Sequence, residues 1–564
     1  MNLYTKVSVL FVLSGLMLLQ ACVSPGKQEE LGGAERPQDV ISMNFKESYR
    51  SLYPLMATDN VSYVVLANMM EGLITYNDAT QALLPSLAES WNVIDNGIRY
   101  IFHIRKGVYF HDDACFPDGK GREVTASDFE FCLTQLCKPG DNNDAFWIIN
   151  DKILGSKEYY MSKEAGDGKV NSVSGIRVID KYTLEVTLTQ PYSVFLSILT
   201  TQYTFVYPHE AVTKYGPDHI DEHPVGTGPF MIKEVKPAEY VVMIGNPNYW
   251  RKDNEGNRLP KLDALALSFD PGMNELEELE KGRLSIIFHS NQDQVNQLMS
   301  KTEKKRFKAL NNLQLSMSFL GLQHKDPVLK DVRVRRAIAM AIDRDELNKL
   351  LPEGSMVADK GVVPHGFEKF PYDKVTGYAF DPDSARQLLK EAGYPDGKGL
   401  PVFQMAFERL FARFGESLHK MLENVGIRTE LVLVPFQDMI KKAYGGYVPM
   451  FRIGWVADYP DPETFLNLFY GANVPLNPSV STDVNPCRYV NPLFDMLLDE
   501  AYRETDITRR SLLYARADSL LMEDVAAIPL YYGSYISLMR SDIKNFHGLN
   551  TKFDFSEAYI AREE

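Results

Sequence analysis

Beyond residue 22, no stretch of this chain stays apolar for the roughly 20 residues that a membrane-spanning helix needs, so its apolar side chains must be buried inside globular domains. Hydrophobic residues are 45% of the 564 and charged residues 24%, enough for a large core in an ordinary globular protein. At about 100–200 residues per domain, the length asks for about three domains. Net charge is −15, with 60 Lys and Arg against 75 Asp and Glu. That balance opposes the basic patch which phosphate-backbone binding requires, so nucleic acid is not an expected partner.

One apolar run precedes that boundary. It extends from Val7 to Leu19 after Lys6, is too short to span a bilayer, and reads as the central region of a signal peptide. Its end, Leu19-Gln20-Ala21-Cys22, resembles the lipobox of bacterial lipoproteins, in which the cysteine thiol takes a diacylglycerol and becomes the new N-terminus. Residues 1–22 are therefore expected to be a lipoprotein signal peptide with Cys22 as the lipidated residue. Residues 23–38, rich in Gly, Glu and Pro, are expected to be a flexible tether. The mature protein would then sit outside the cytoplasm, lipid-anchored in the cell envelope. The plainer alternative is an ordinary signal peptide with a chance cysteine.

Strands and helices are interleaved along the rest. Tyr100 to Val108 partly alternates apolar and polar residues and reads as a strand. Ala126 to Leu136 has helical spacing behind Thr125, a cap candidate, and Ser174 to Gln190 reads as a hairpin turning at Asp180-Lys181. Further helices are expected at 331–350, 383–393, 408–424 and 509–523, with Gly393 and Gly426 placed as C-terminal caps. No internal repeat is visible, which leaves a mixed α/β, multi-domain protein.

The sequence offers no catalytic motif: no nucleophile elbow, no His-Glu-x-x-His, no Walker loop and no dinucleotide-binding glycine pattern. No cofactor is expected. His219 and His223 flank Asp221 and Glu222, a set that either holds a metal or is a solvated loop. Cys115, Cys132, Cys137 and Cys487 have no metal spacing; one disulfide within 115–137 and buried free thiols both remain open.

Several segments, read in order, resemble the large solute-binding proteins of ABC transporters, the family-5 or cluster C group that includes oligopeptide- and dipeptide-binding proteins. They are Leu83-Leu84-Pro85-Ser86-Leu87-Ala88-Glu89-Ser90-Trp91, Tyr100 to Val108, Val124 to Phe129, Pro224-Val225-Gly226-Thr227-Gly228-Pro229-Phe230 and Asn246 to Trp250. Later come Asp331 to Ile338 with Ala341 to Arg344, Glu391 to Pro395, and Gly454-Trp455-Val456-Ala457-Asp458-Tyr459-Pro460-Asp461-Pro462. The resemblance implies an α/β, periplasmic-binding-protein-like two-lobe hinge fold (type II, cluster C) with an extra domain on the first lobe. Lobe 1 would combine 39–71, 190–271 and 534–564; the extra domain would be 72–189, and lobe 2 272–533. It also implies a monomeric, non-enzymatic receptor that captures oligopeptides and delivers them to an ABC permease in the membrane. A same-fold receptor for a non-peptide solute, such as an oligosaccharide or metal chelate, is the nearest alternative. A partner-binding signalling lipoprotein and a lipid-anchored hydrolase are further ones.

The resemblance also nominates residues. Asp458 would pair with the ligand's α-ammonium, because a charged amine enclosed between lobes needs a carboxylate in place of its water; the alternative is a turn or cap acid among Pro460 and Pro462. Arg452 would meet the peptide's carboxylate end, or else form an ordinary salt bridge. Gly454 would let backbone approach closely, and Gly454 and Val456 would offer main-chain groups to an extended peptide. Trp455, Phe146 and Trp147 would wall or cover the ligand, with core packing as the alternative for each. Pro224 to Phe230 would be a turn next to the hinge or one with no moving part.

Overall fold

The computed structural model describes residues 38–562 apart from 79, 217–218, 301–303, 352–354, 368, 483 and 547–552. The expected signal peptide, Cys22 and the tether up to residue 37 lie outside the described residues.

The apolar strands assemble into an eleven-stranded sheet. From one edge its order is Thr429–Val434, Phe403–Glu408, Met450–Val456, Phe307–Leu322, Ala527–Arg540, Ile286–Ser290, Val40–Asn44, Ala264–Ser268, Tyr240–Gly245 and Phe230–Lys236. The short Met356–Val357 strand adds to Ala527–Arg540 off this path. The two longest strands, of 16 and 14 residues, occupy the middle and pair antiparallel from Phe307 opposite Arg540 to Gly321 opposite Ala527. One end of this ribbon pairs with Met450–Val456 and the other with Ile286–Ser290. Between Leu313 and Met317 the register of the ribbon shifts. Gly533 faces this shift, and a Cβ there would press on Ser316 Oγ.

Strand alternation sorts the side chains of Phe307–Leu322 onto two faces. Leu320 and Leu322 join a core with Val334, Ile338, Phe403, Phe407 and Leu418, covered by the helices Val332–Met340, Pro382–Glu391 and Ala412–Glu423. Met317 and Phe319 face the other way, into a cluster that includes Phe451, Phe465 and Tyr532. That same cluster continues without a break into Phe102, Phe129, Leu184 and Phe195. These belong to a second, four-stranded antiparallel sheet ordered Ala88–Ile94, Arg99–Ile104, Thr183–Thr187 and Ile176–Asp180, and to elements packed on it. A third core, around Ile41, Met43, Val65, Phe230, Leu265 and Phe555, lies at the Val40–Asn44 side.

The helix at Ala126–Leu136 begins where its cap was expected. Thr125 N donates to Asp128 Oδ2 at 2.8 Å and the Thr125 hydroxyl to the same oxygen at 3.1 Å. Asp128, 3% exposed, also takes two bonds from Arg122, which in turn reaches Glu210. Asp128→Ala is therefore expected to destabilise the protein by about 2–3 kcal/mol, because it removes a helix-start acceptor and half of a guanidinium's partners. Urea unfolding would show it, and a loss under about 0.5 kcal/mol would contradict it.

The hairpin turns at 180–183, and Gly393 and Gly426 take φ of +95° and +92° at helix C-termini. The 331–350 segment is not one helix: Asp343 caps the amides of Asp345 and Glu346, so Val332–Met340 ends and Arg344–Asn348 begins afresh. The Pro224–Phe230 turn is a packed junction, where Gly226 and Gly228 lie against the Met69 backbone and His111 Nε2 meets the Gly228 carbonyl at 3.0 Å. All four described cysteines are free thiols. His223 stacks on Tyr215, Asp221 accepts from Ser51 and Leu52, and no group of three metal-ligating side chains occurs among the described residues. Nor is any described helix long and apolar enough to cross a membrane.

Candidate functional site

The Met450–Val456 strand is bonded along Phe307–Leu322 on one side. On its other side Phe403–Glu408 reaches only Met450 and Phe451. From Arg452 onward that second edge carries no strand among the described residues, which leaves the backbone at Gly454 and Val456 open to an added strand. Gly454 is exposed, and a Cβ there would meet nothing nearer than 3.6 Å. No neighbour within the chain therefore compels glycine at 454, which leaves the space beside it open.

Past the strand's end at Val456, Pro460 and Pro462 offer no N–H to a ladder. The turn that follows is organised by Asp461, whose carboxylate accepts from Glu463 N at 3.0 Å and pairs with Arg510 at 3.0 Å. Asp461 is thus one acid that shapes this turn. Asp458 is held by a single side chain, Thr464, on the short helix Glu463–Leu466. The Thr464 hydroxyl donates to Asp458 Oδ2 at 3.3 Å, and accepts from Asp458 N at 3.4 Å and from Trp455 Nε1 at 3.2 Å. No basic side chain forms an ion pair with Asp458 among the described residues. Burial, reinforced by the charge of Glu463, pushes its carboxyl up to about 7, against the Thr464 bond, which lowers it.

Aromatic side chains cluster near this carboxylate. Trp147 stands edge-on to Trp455 with ring centres 6.4 Å apart, and edge-on to Tyr203 at the same distance. Burial, then the nearby Asp458 charge, raises the Tyr203 hydroxyl; Tyr444 is raised by burial and by the charges of Cys487 and Asp458. Three distant parts of the chain, at 147, 203 and 455–464, therefore converge on one acid. Phe146 does not join them, because its ring stacks on Tyr160 at 4.2 Å.

Arg452 sits on the opposite face of the strand from Trp455, as alternation requires. Its Nε donates to Ser318 Oγ at 2.8 Å and Nη2 to Tyr531 OH at 2.7 Å, while the guanidinium lies 3.6 Å above the Phe411 ring. It has no carboxylate partner within ion-pair distance among the described residues, so the ordinary salt bridge does not form. The structure does not bring Arg452 into contact with Asp458.

A model of the bacterial extracellular solute-binding proteins, family 5, middle region, matches residues 82–475. The chain belongs to this family. The dipeptide-binding protein of Escherichia coli (strain K12) is 25% identical to it over 507 residues, 88% of this chain and 89% of that protein. Heme-binding protein A of Haemophilus influenzae is 26% identical over 503 residues, 87% of each. Among solved structures, a periplasmic oligopeptide-binding protein from Borrelia burgdorferi superposes with a TM-score of 0.74 at 25% identity, covering 93% of this chain and 100% of its own. The ABC transporter-associated periplasmic binding protein DppA from Helicobacter pylori, in complex with the peptide STSA, gives a TM-score of 0.76 at 24% identity, covering 93% and 98%.

The fold of this family 5 protein is thus the mixed α/β two-lobe binding-protein fold that the motifs implied, and the protein is a solute binder rather than an enzyme. In this family 5 protein, Thr464, Tyr203 and Tyr444 are neighbours of Asp458 that local sequence did not single out. Thr464 is the second residue of a four-residue helix and carries no periodic signal. Tyr203 is more than 250 residues from Asp458 in sequence, and only the tertiary fold places it there.

Proposed function

We propose that this protein captures peptides in the cleft between its lobes and delivers them to an ABC permease, with Asp458 receiving the ligand's α-ammonium. One observation supports this above the others: a partly buried carboxylate with no basic partner among the described residues, close to the Trp455, Trp147 and Tyr203 cluster. An ammonium group would supply the missing charge and gain cation–π attraction from the rings. The open edge at Gly454 and Val456 suits an extended backbone bound without regard to its side chains. Arg452, on the other face, would meet a carboxylate only at a ligand's far end, and Phe146 would support Trp147 rather than touch ligand.

In this reading the lobes meet along the central ribbon, and its register shift near Leu313 and Gly533 is the hinge. Lobe 1 would comprise 39–71, 190–271 and 534–564, joined by the 272–306 segment because Ile286–Ser290 pairs with Val40–Asn44; the extra domain would be 72–189. A monomer held by lipid on Cys22 would keep its effective concentration high near the permease.

The test is to release ligand from the purified protein lacking residues 1–22 by mild denaturation and identify it by mass spectrometry. A mixture of short peptides is the expected result. The relative named for heme binding favours a second reading, a non-peptide solute. A single non-peptide compound in the released fraction would replace the peptide reading with that one.

A further inference from the structure

Resting on the peptide reading of the cleft, we propose that Glu408 selects ligands that carry a basic side chain toward the C-terminal part of the bound peptide. Glu408 is the last residue of the Phe403–Glu408 strand, which pairs parallel with Met450–Val456 only at Met405 opposite Met450 and Ala406 opposite Phe451. Carried on, that register sets Glu408 level with Ile453, one position before Gly454. A ligand strand added along Gly454 and Val456 would therefore lie in the lane that Phe403–Glu408 leaves, with Glu408 at the end of that lane away from Asp458. The turn that follows, Arg409–Phe411, keeps Glu408 beside Arg452, whose guanidinium lies 3.6 Å above the Phe411 ring.

Glu408 is half-buried, and no hydrogen bond or ion pair reaches its carboxylate among the described residues. Burial raises the Glu408 carboxyl, Arg452 opposes this, and the charge of Glu47 raises it further. Arg452 cannot fully serve it, because its Nε and Nη2 already donate to Ser318 and Tyr531. Glu47 is exposed and follows the Val40–Asn44 strand, so in the two-lobe reading it approaches Glu408 from the opposite wall of the cleft. Two carboxylates brought together by closure repel each other unless a cation lies between them. A lysine ammonium or arginine guanidinium of the ligand would supply that cation and so couple closure to one side chain. At about 3.3 Å per residue, the positions from Ile453 to Asp458 span at most ~16 Å, so a peptide whose α-ammonium meets Asp458 reaches Glu408 at about its third or fourth residue. Main-chain pairing along Gly454 would hold any peptide, and Glu408 would add a preference among them.

The experiment is titration calorimetry of the purified protein, freed of carried-over ligand, with tetraalanine and with the peptides in which lysine replaces each alanine in turn. Lysine at the third or fourth position is expected to tighten binding roughly tenfold over tetraalanine, and lysine at the first or second to change it little. Glutamate at the preferred position should weaken binding by a similar factor. Glu408→Gln, which keeps the size of the side chain, should bring the lysine-to-alanine affinity ratio to within about threefold of one. Glu408→Lys should favour the glutamate peptide instead. A lysine preference that survives in Glu408→Gln would overturn the proposal, as would equal affinity of the wild type for every peptide in the set. Failure to bind any of these peptides would overturn the peptide reading itself, and this preference with it.

Discussion

Asp458→Asn is expected to weaken binding of a peptide with a free N-terminal ammonium by roughly 100-fold, about 3 kcal/mol, because the ligand's charge is then enclosed without a counter-charge. Asparagine keeps the size of the side chain and can still accept from Thr464. Wild-type affinity should itself fall as pH drops below about 7, the value to which burial lifts the Asp458 carboxyl, since a proton must leave before the ion pair forms. The ligand-free protein should show the opposite trend. An acid whose folded pKa lies above its unfolded value binds more protons in the native state, so its contribution to stability declines as pH rises from about 4 to about 7. The ceiling set by a gap of about three pKa units is roughly 4 kcal/mol, and partial access to water lowers the expected figure to roughly 1–3 kcal/mol. Asp458→Asn should remove that decline, so the ligand-free variant is more stable than the wild type at pH 7.5 and little different at pH 4.5. Calorimetric titration with a released peptide checks the affinity, and urea unfolding at the two pH values checks the stability. Unchanged peptide affinity in the variant would show that this carboxylate does not receive the ligand.

Much of this was legible in local sequence. Thr125, three residues before Asp128, announced a helix start that the structure places at Ala126, and Gly393 and Gly426 sit at helix ends because the left-handed backbone there favours glycine. Ordered motifs such as Gly454-Trp455-Val456-Ala457-Asp458 pointed to the two-lobe fold and nominated Asp458. What local sequence concealed is what depends on the other face of a sheet or on a distant segment. Local sequence offered Arg452 a ligand carboxylate or an ordinary salt bridge, but alternation turns it toward Ser318, Tyr531 and Phe411. Adjacent Phe146 and Trp147 read as equivalent covers, yet the Tyr160 ring occupies the first and leaves the second to meet Trp455. Asp343 broke an expected helix because a side-chain cap competes locally with apolar periodicity.

Glu463→Ala is expected to cost about 3–5 kcal/mol of stability, more than a simple loss of packing at this position would. Glu463 is 0% exposed and gathers hydroxyls from three segments: Tyr192 OH donates to Oε1 at 2.8 Å, Tyr502 OH to Oε1 at 2.9 Å, and Tyr459 OH to Oε2. Burial raises its carboxyl, against the opposing effect of those bonds and of the Lys152 ammonium nearby. Truncation to alanine leaves three buried hydroxyls without their acceptor and Lys152 without its neighbouring charge. The node also joins separate parts of the fold, since Ser193 N donates to the Tyr502 carbonyl at 2.7 Å and Arg503 Nη2 to Gln190 Oε1 at 3.0 Å. Because Glu463 opens the helix that carries Thr464, loss of the node should also loosen the grip on Asp458 and Trp455 and weaken ligand binding. Glu463→Gln retains one carbonyl acceptor and should lose only about 1–2 kcal/mol, with binding closer to that of the wild type. Denaturant unfolding and titration calorimetry on the pair separate the two effects. If alanine and glutamine variants are equally stable, the tyrosine hydroxyls are satisfied without the carboxylate and the node does not hold these segments together.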